Sequence, residues 1–342
     1  MQPEYSFVIP VYNRPDEIRE LLESMRKLIS IRSFEVVIIE DGSSVRSDKI
    51  VRQFSEDLNI SYYYKSNSGP GDSRNFGMKK AKADYFLILD SDVILPENYL
   101  KEVHSSLSEN YCDCFGGPDA AHPSFSNIQK AIDYTMTSFF TTGGIRGDRR
   151  GAKGFQPRSF NMGISREAFE ESRGFGQIHP GEDPDLSLRL KKSGFKICLI
   201  PEAKVFHKRR IDWDKFYMQV KKFGLVRPIL NKWHPGSGKI TYWFPGLFIM
   251  GFIFSCIMAS LGIWFFTGCY LIYFLIIGID AAIKNKSIYI GLLAIRAVFV
   301  QFSGYGFGFL ISAFKIGILN QRPQEAFPQL FFKKQVSEKT KI

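Results

Sequence analysis

The sequence predicts an α/β domain on a mostly parallel sheet, followed by a basic interfacial stretch and a membrane region. Two observations carry this reading. Over the first 240 residues, short runs rich in Val, Ile, Tyr and Phe alternate with helix-like segments. Between residues 241 and 319 the only ionised side chains are Asp280, Lys284, Lys286, Arg296 and Lys315. The averages hide this segregation: 45% apolar and 23% charged residues are ordinary globular values and exclude a wholly disordered chain. A length of 342 residues leaves room for two ordinary domains.

Strands are expected at residues 6–12, 35–40, 60–64 and 85–89. The first helix opens at Pro15-Asp16-Glu17, with proline at its first position and acids in its first turn, and Leu21, Leu22, Met25 and Leu28 form its apolar face. Residues 46–58 and 73–83 repeat the pattern. Alternating strands and helices imply right-handed crossovers, which place a ligand site at the carboxyl ends of the strands. After His207 come Lys208-Arg209-Arg210, then Trp213, Phe216, Tyr217, Val220 and Phe223 at helical spacing with Lys215, Lys221 and Lys222 between them. Such a basic aromatic helix suits the membrane interface. Residues 243–262 and 264–283 each have about the 20 residues a span requires and aromatic residues at their borders, so they form a hairpin. Residues 288–319 exceed one span, and Arg296 with Gly304, Gly306 and Gly308 suggests an amphipathic first half followed by a third crossing. Three crossings would put Lys333 and Lys334 outside, against the positive-inside rule, whereas a re-entrant hairpin would keep them inside. The expected domains are therefore residues 1–210, 211–240, 241–320 and a polar tail 321–342.

A net charge of +11 suits phosphorylated substrates or anionic lipid. Nucleic acid is not expected as a partner, because the basic residues surround neither a recognition helix nor an aromatic sheet. Cys112, Cys114, Cys198, Cys256 and Cys269 show no metal-binding spacing and read as buried thiols in a reducing compartment. Residues 1–4 lack a basic signal-peptide start, so the soluble part is expected to stay in the cytoplasm.

The strand ends carry unusual residues. The first ends in Pro10-Val11-Tyr12-Asn13, the second in Glu40-Asp41-Gly42-Ser43-Ser44 and the fourth in Asp90-Ser91-Asp92. Asp-Gly-Ser alone is an ordinary turn. Two carboxylates one residue apart after an apolar strand repel unless a cation or solvent screens them, and such pairs bind Mg²⁺ or Mn²⁺ together with substrate phosphates. Helix-capping acids are the competing explanation.

Taken in order, Val8-Ile9-Pro10-Val11-Tyr12-Asn13, Glu40-Asp41-Gly42-Ser43-Ser44, Gly69-Pro70-Gly71-Asp72-Ser73-Arg74-Asn75-Phe76-Gly77, Leu89-Asp90-Ser91-Asp92, Asn161-Met162-Gly163 and Gly181-Glu182-Asp183-Pro184-Asp185-Leu186 resemble the family 2 glycosyltransferases. These are inverting nucleotide-sugar enzymes of the GT-A fold. The resemblance covers roughly residues 5–210. It implies a nucleotide-sugar site including Pro10, Tyr12, Asp41 at the uracil, Arg74 at the nucleotide and Asp90 at the ribose. It also implies a divalent metal, Mg²⁺ or Mn²⁺, at Asp92 with Asp90 beside it and His207 as a further contact, and Asp183 as catalytic base. Structure alone offers another account of the last motif, since Pro184 at the first helical position would make Asp183 an N-cap. Three acids in four residues exceed what one cap needs, and Glu182 and Asp185 remain alternates for the base. The glycine-rich basic run from Gly143 to Gly154 reads as a loop able to close over phosphates.

The run Gln219-Val220-Lys221-Lys222-Phe223-Gly224-Leu225-Val226-Arg227 resembles a segment of membrane-attached polysaccharide glycosyltransferases of the succinoglycan-synthesis type, which implies acceptor-side roles for Gln219 and Arg227. The expected function is transfer of a hexosyl or N-acetylhexosaminyl group from a nucleotide donor, uridine-linked, to a lipid-linked or polysaccharide acceptor. The enzyme would sit in the cytoplasmic membrane as a multi-pass protein, with its catalytic domain facing the cytoplasm and lipid as a partner. The alternatives are a processive polysaccharide synthase and an inactive nucleotide-binding scaffold of an envelope assembly complex.

Overall fold

The computed structural model describes residues 2–29, 32–120, 125–142, 155–207, 212–332 and 340–341. The chain divides into two compact units. The first comprises Met1–His122, Gly151–Lys208 and Phe331–Ile342, the second Pro123–Arg150 and Arg209–Leu330. The second unit therefore takes residues 123–150 from inside the expected first domain, and the tail joins the first unit.

The strands are β1 (Tyr5–Val11), β2 (Phe34–Asp41), β3 (Ile60–Lys65), β4 (Tyr85–Leu89), β5 (Val93–Ile94), β6 (Cys114–Gly116), β7 (Asp119–Ala120), β8 (Asn161–Ser165), β9 (Ile197–Leu199), β10 (Val205–His207) and β11 (Thr340–Lys341). The helices begin with α1 (Pro15–Arg26), α2 (Asp48–Arg52), α3 (Pro70–Lys80), α4 (Tyr99–Glu109), α5 (Asn127–Thr137), α6 (Phe139–Thr142), α7 (Arg166–Ser172) and α8 (Glu182–Lys192). They continue with α9 (Trp213–Trp233), α10 (Phe244–Ser260), α11 (Phe265–Asn285), α12 (Ile288–Ser312) and α13 (Pro323–Ala326).

Among the described residues the main sheet runs β11-β3-β2-β1-β4-β8-β6-β9. β3, β2, β1 and β4 are mutually parallel, β8 is antiparallel to β4 and β6, and β11 is antiparallel to β3. A second small sheet runs β5-β10-β7. Phe7, Ile9, Val36 and Ile38 pack in one core cluster with Leu21, Leu22 and Met25 of α1. Val8, Val37, Ile39 and Phe86 pack in another with Met78 of α3 and Leu186 of α8. Side chains alternate across a strand, so a sheet buried on both faces needs apolar residues at consecutive positions, which is why these strands read as unbroken apolar runs.

The four leading strands and α1 stand where the periodicity puts them, and three details differ. Residues 46–58 form only α2, after which the amides of Gln53, Phe54 and Ser55 bond carbonyls three residues back and tighten the chain into turns. α3 starts at Pro70 because Gly69, at φ +92°, makes the turn that residues with a Cβ resist. The reading of Cys112 and Cys198 as thiols is corrected: they form a disulfide across a sequence separation of 86. Cys114 is a buried thiol as expected, while Cys256 and Cys269 are exposed on apolar helices.

In the second unit three helices among the described residues, Ile240–Ser260, Phe265–Asn285 and Ile288–Ile318, are long and apolar enough to cross a membrane. The last is one continuous helix ending in π-helical turns, so residues 288–319 do not fold into a re-entrant hairpin.

α3 closes onto the sheet at Gly77, where a Cβ would lie 2.5 Å from Val8 Cγ1 and from Ile39 Cδ1. Overpacking there forces the helix off the strands. Gly77→Val is expected to lower stability by about 1–3 kcal/mol in denaturant unfolding, and Val8→Ala in the same chain to recover part of the loss.

Candidate functional site at the carboxyl edge of the sheet

Because β3, β2, β1 and β4 are parallel, their carboxyl ends share one edge. There the loops after β1 and β2 are tied together: the Asn13 amide donates to Ser43 Oγ at 2.8 Å, and Asn13 Oδ1 accepts from Ser44 Oγ and the Val45 amide, each at 3.0 Å. Glu40 is buried and structural, accepting from the Ser47 amide at 2.9 Å and Tyr62 Oη at 3.0 Å. Asp41 is also buried. Its carboxylate accepts from Lys65 Nζ, from the Ser68 amide at 3.0 Å and from the Gly69 amide at 2.9 Å. Both of its oxygens thus hold the loop that leads into α3. Pro10 is half-buried, and Tyr12 is 54% exposed at the same edge.

Arg74 is the centre of the edge. The first turns of α3 carry it into the interior, where Nη2 donates to Asp90 Oδ1 at 2.7 Å and Nη1 to Glu182 Oε1 at 3.3 Å. Its guanidinium carbon lies 5.4 Å from the centre of the Phe175 ring, and Nε has no partner. Burial works against the charge, but Asp90, Asp183 and Glu182 outweigh it and raise the pKa further. Glu182 Oε1 also meets His179 Nδ1 at 2.8 Å. Burial alone would raise the Glu182 carboxyl; His179, followed by Arg74, holds it below its ordinary value.

Asp183 behaves in the opposite way. Its Oδ2 accepts a long hydrogen bond from the Ser159 amide, 3.2 Å, and its Oδ1 is buried without a partner. Burial first, then the Glu182 charge, push its carboxyl up to about 6. The N-cap reading is corrected. Gly181, at φ +119°, caps α8, so Glu182 and Asp183 are its first two residues and Pro184 its third. Asp185 meets Arg189 one turn on, at 2.8 Å and 3.0 Å. Of the three acids, Asp183 alone presents a buried oxygen without a partner.

Asp92 pairs with Arg14 just after β1, its side chain 13% exposed. Among the described residues no cluster of three or more His, Cys, Asp or Glu side chains is placed to hold a metal. Asp90 and Asp92 still suit Mg²⁺ or Mn²⁺ by donor chemistry, since hard carboxylate oxygens bind these ions when phosphate oxygens complete the shell. Binding through Asp92 would require Arg14 to release it. The backbone of His207 pairs with Val93, next to Asp92, and its side chain lies outside the described residues. The Gly143 to Gly154 loop also lies outside them. Gln219, exposed, and Arg227, half-buried and 4.4 Å from the Tyr242 ring, stand on α9 in the second unit.

Sequence reasoning missed Arg14, Lys65, Ser159 and His179. Lys65 had a signal, being a lysine at the carboxyl end of an otherwise uncharged strand. A cavity of about 820 Å³ opens beside the edge, lined in part by Ser68, Asp72, Lys79, Arg173 and His179.

Residues 6–173 match the family model described as glycosyl transferase family 2. Among curated proteins, the chain is 32% identical over 113 residues to the poly(ribitol-phosphate) beta-N-acetylglucosaminyltransferase TarS of Staphylococcus aureus, covering 32% of this chain and 20% of TarS. It is 24% identical over 214 residues to the minor teichoic acid biosynthesis protein GgaB of Bacillus subtilis, covering 61% of this chain and 23% of GgaB. The matched part is thus about a fifth of the length of either relative. The mannosyltransferase PcManGT of Pyrobaculum calidifontis, solved with GDP-Man and Mn²⁺, is similar in fold, with a TM-score of 0.65 over 90% of this chain and 88% of that one at 14% identity.

The raised carboxyl of Asp183 sets a pH dependence of stability. Between its ordinary value of 3.8 and about 6, the native state keeps a proton that the unfolded chain has released. Its contribution therefore falls as pH rises through that window and is constant above it. Asp183→Asn is expected to remove this loss, so the variant should gain stability relative to the parent as pH rises from 4 to 6.5. Denaturant unfolding across that range checks it.

Proposed function

We propose, for a chain whose residues 6–173 form a family 2 glycosyltransferase domain of the GT-A fold, that it transfers a sugar with inversion from a nucleoside diphosphate donor, uridine-linked, to a lipid-linked or saccharide acceptor at a membrane. The observation that carries the reading is the pair of adjacent acids on α8. Glu182 is held ionised against Arg74, while Asp183 keeps a buried oxygen without a partner and a carboxyl raised to about 6. Neighbouring carboxyls with separated protonation behaviour can serve different roles in one reaction.

In this reading Asp183 accepts the proton of the acceptor hydroxyl as that oxygen bonds to the anomeric carbon. The bond from that carbon to the diphosphate oxygen breaks on the opposite face, and the configuration inverts. Arg74, fixed by Asp90 and Glu182, brings a permanent charge to the nucleotide side and offers its Nε–H. Asp41 orders the loop into α3, along which the donor lies. Asp92 and Asp90 would hold a divalent cation, which supplies charge stabilisation to the departing diphosphate. The uridine preference and the acceptor rest on the motif resemblance and on the apolar helices. The basic residues before the first of these helices support a cytoplasmic catalytic domain.

Asp183→Asn is expected to reduce sugar transfer by about 10²–10⁴ while nucleotide-sugar affinity stays near that of the parent. The acid limb of the parent rate profile, set by a carboxyl at about 6, should vanish from the residual activity. Parent-like transfer by the variant would remove Asp183 as the base, and a parent chain inactive across a panel of nucleotide sugars with lipid and saccharide acceptors would favour the scaffold. Excess chelator should abolish transfer, and Asp92→Asn should weaken cation-dependent donor binding without altering the melting temperature by more than a few degrees.

A further inference from the structure

We infer that the chain crosses the bilayer twice, through α10 and α11, and that α12, despite its length and apolar composition, lies with α9 along the membrane surface, its outer face buried among the acyl chains of one leaflet.

The first ground is parity. The first unit precedes α10 in the chain, yet its last pieces follow α12. The Phe332 amide donates to the Gln177 carbonyl at 3.1 Å, Phe331 bridges to Ile178, and β11 pairs with β3 at Thr340↔Tyr64 and Lys341↔Tyr63. A soluble unit lies on one side of a membrane. The number of crossings between its leaving and its return is therefore even, and three is excluded.

The second ground identifies which helix stays out. α10 and α11 form an antiparallel hairpin, with Tyr270 Oη donating to the Phe248 carbonyl at 2.7 Å and Ser255 Oγ 3.1 Å from Thr267 Oγ1. The start of α10 and the end of α11 consequently lie at the same, open end. α12 meets both helices there. A Cβ on Gly291 would lie 2.5 Å from the Gly278 carbonyl oxygen and 2.9 Å from Ala282 Cβ. Further along α12, the Phe302 ring is 4.8 Å from that of Phe248, a Cβ on Gly306 would be 2.6 Å from the Pro245 carbonyl oxygen, and Phe309 is 4.8 Å from Trp243. A helix with its first turns at the end of α11 and its later turns at the start of α10 runs across the hairpin's base. A crossing helix would instead climb it over the roughly 30 Å of hydrocarbon.

The third ground is depth. α12 runs parallel to α9 in close contact: Gly304 faces Tyr217 and Val220, Gly308 faces Lys221 and Leu225, and the Arg296 guanidinium lies 4.5 Å from the Trp213 ring. Gly224 meets Tyr305 and Phe309 from the other side of the contact, so glycines let the two backbones approach. α9 carries Lys215, Lys221, Lys222, Arg227 and Lys232 within its 21 residues, too many charges for the hydrocarbon core. Helices packed along their length share a depth. Tyr289, Leu292, Phe299, Phe307, Ile311 and Phe314 are exposed on α12 and its π-helical end at intervals of three, seven, eight, four and three residues, which keeps them on one helical face, as in a helix half-sunk in one leaflet, while the lysines of α9 suit its headgroups.

Topology reporters that distinguish cytoplasm from periplasm test this in the full-length chain expressed in a bacterial membrane, fused at Met1, after Gly262 and after Ile342. The expected result is one side for the two termini and the other for Gly262. The Ile342 reporter on the Gly262 side would overturn the inference. Nitroxide labels on single cysteines at positions 292, 299, 307 and 314, in proteoliposomes with Cys256 and Cys269 replaced by alanine, give an independent reading. One shallow depth for all four supports a surface helix, and a gradient passing through the bilayer centre overturns it.

Discussion

A guanidinium buried without solvent is tolerated only when carboxylates meet it, and removing either partner of such a pair costs about 3–5 kcal/mol. Arg74 meets two. Asp90 comes from the loop after β4 and Glu182 from the first turn of α8, so one cation binds together three segments that are remote in sequence. The neighbouring parts adapt to it: Gly69 turns the chain into α3, Asp41 receives the amides of that turn, and His179 takes the other side of Glu182. Changes to any of these act on the site through the position of Arg74.

The same constraint separates the two acids of α8. They are adjacent in the chain and share the positive end of one helix, which by itself would favour ionisation of both. Glu182 faces Arg74 and His179, and Asp183 faces Ser159 with one of its oxygens and has no hydrogen-bond partner for the other. Two like charges so close cannot both be cheap, so the pair divides: the partnered acid stays ionised and the unpartnered one retains its proton to higher pH.

In the second unit hydropathy measures how readily a helix enters lipid, and packing decides whether it does. The windows of α10 and α11 are 17% and 11% buried within the protein, against 44% for that of α12. A helix that gives nearly half of its window to protein contacts, with α9 and α5 among them, is tied to whatever depth those polar helices can occupy. α5 supports the same placement. Its Ala131 and Tyr134 pack with Ile277, Ala281 and Ile290, and among the described residues no helix long and apolar enough to cross a membrane lies between it and the parts of the first unit on either side of it in sequence.

The sequence by itself determined the alternation that makes the first unit an α/β fold, the carboxyl edge where Asp41, Asp90 and Asp92 gather, and the apolar composition of the last helices. These are legible because side-chain period, glycine and proline at turns, and acids at strand ends are local properties, readable within one or two turns of chain. Only the tertiary structure decided that Arg14 reaches Asp92, that Lys65 locks Asp41, that Cys112 meets Cys198, and that Gly181 rather than Asp183 caps α8. It also decided which of the three acids in residues 182–185 is left with an unpartnered oxygen, and that the tail returns to β3. Each of these depends on contacts between segments far apart in the chain, or on the dihedral one residue adopts under that packing, and neither is encoded in residue type and spacing alone.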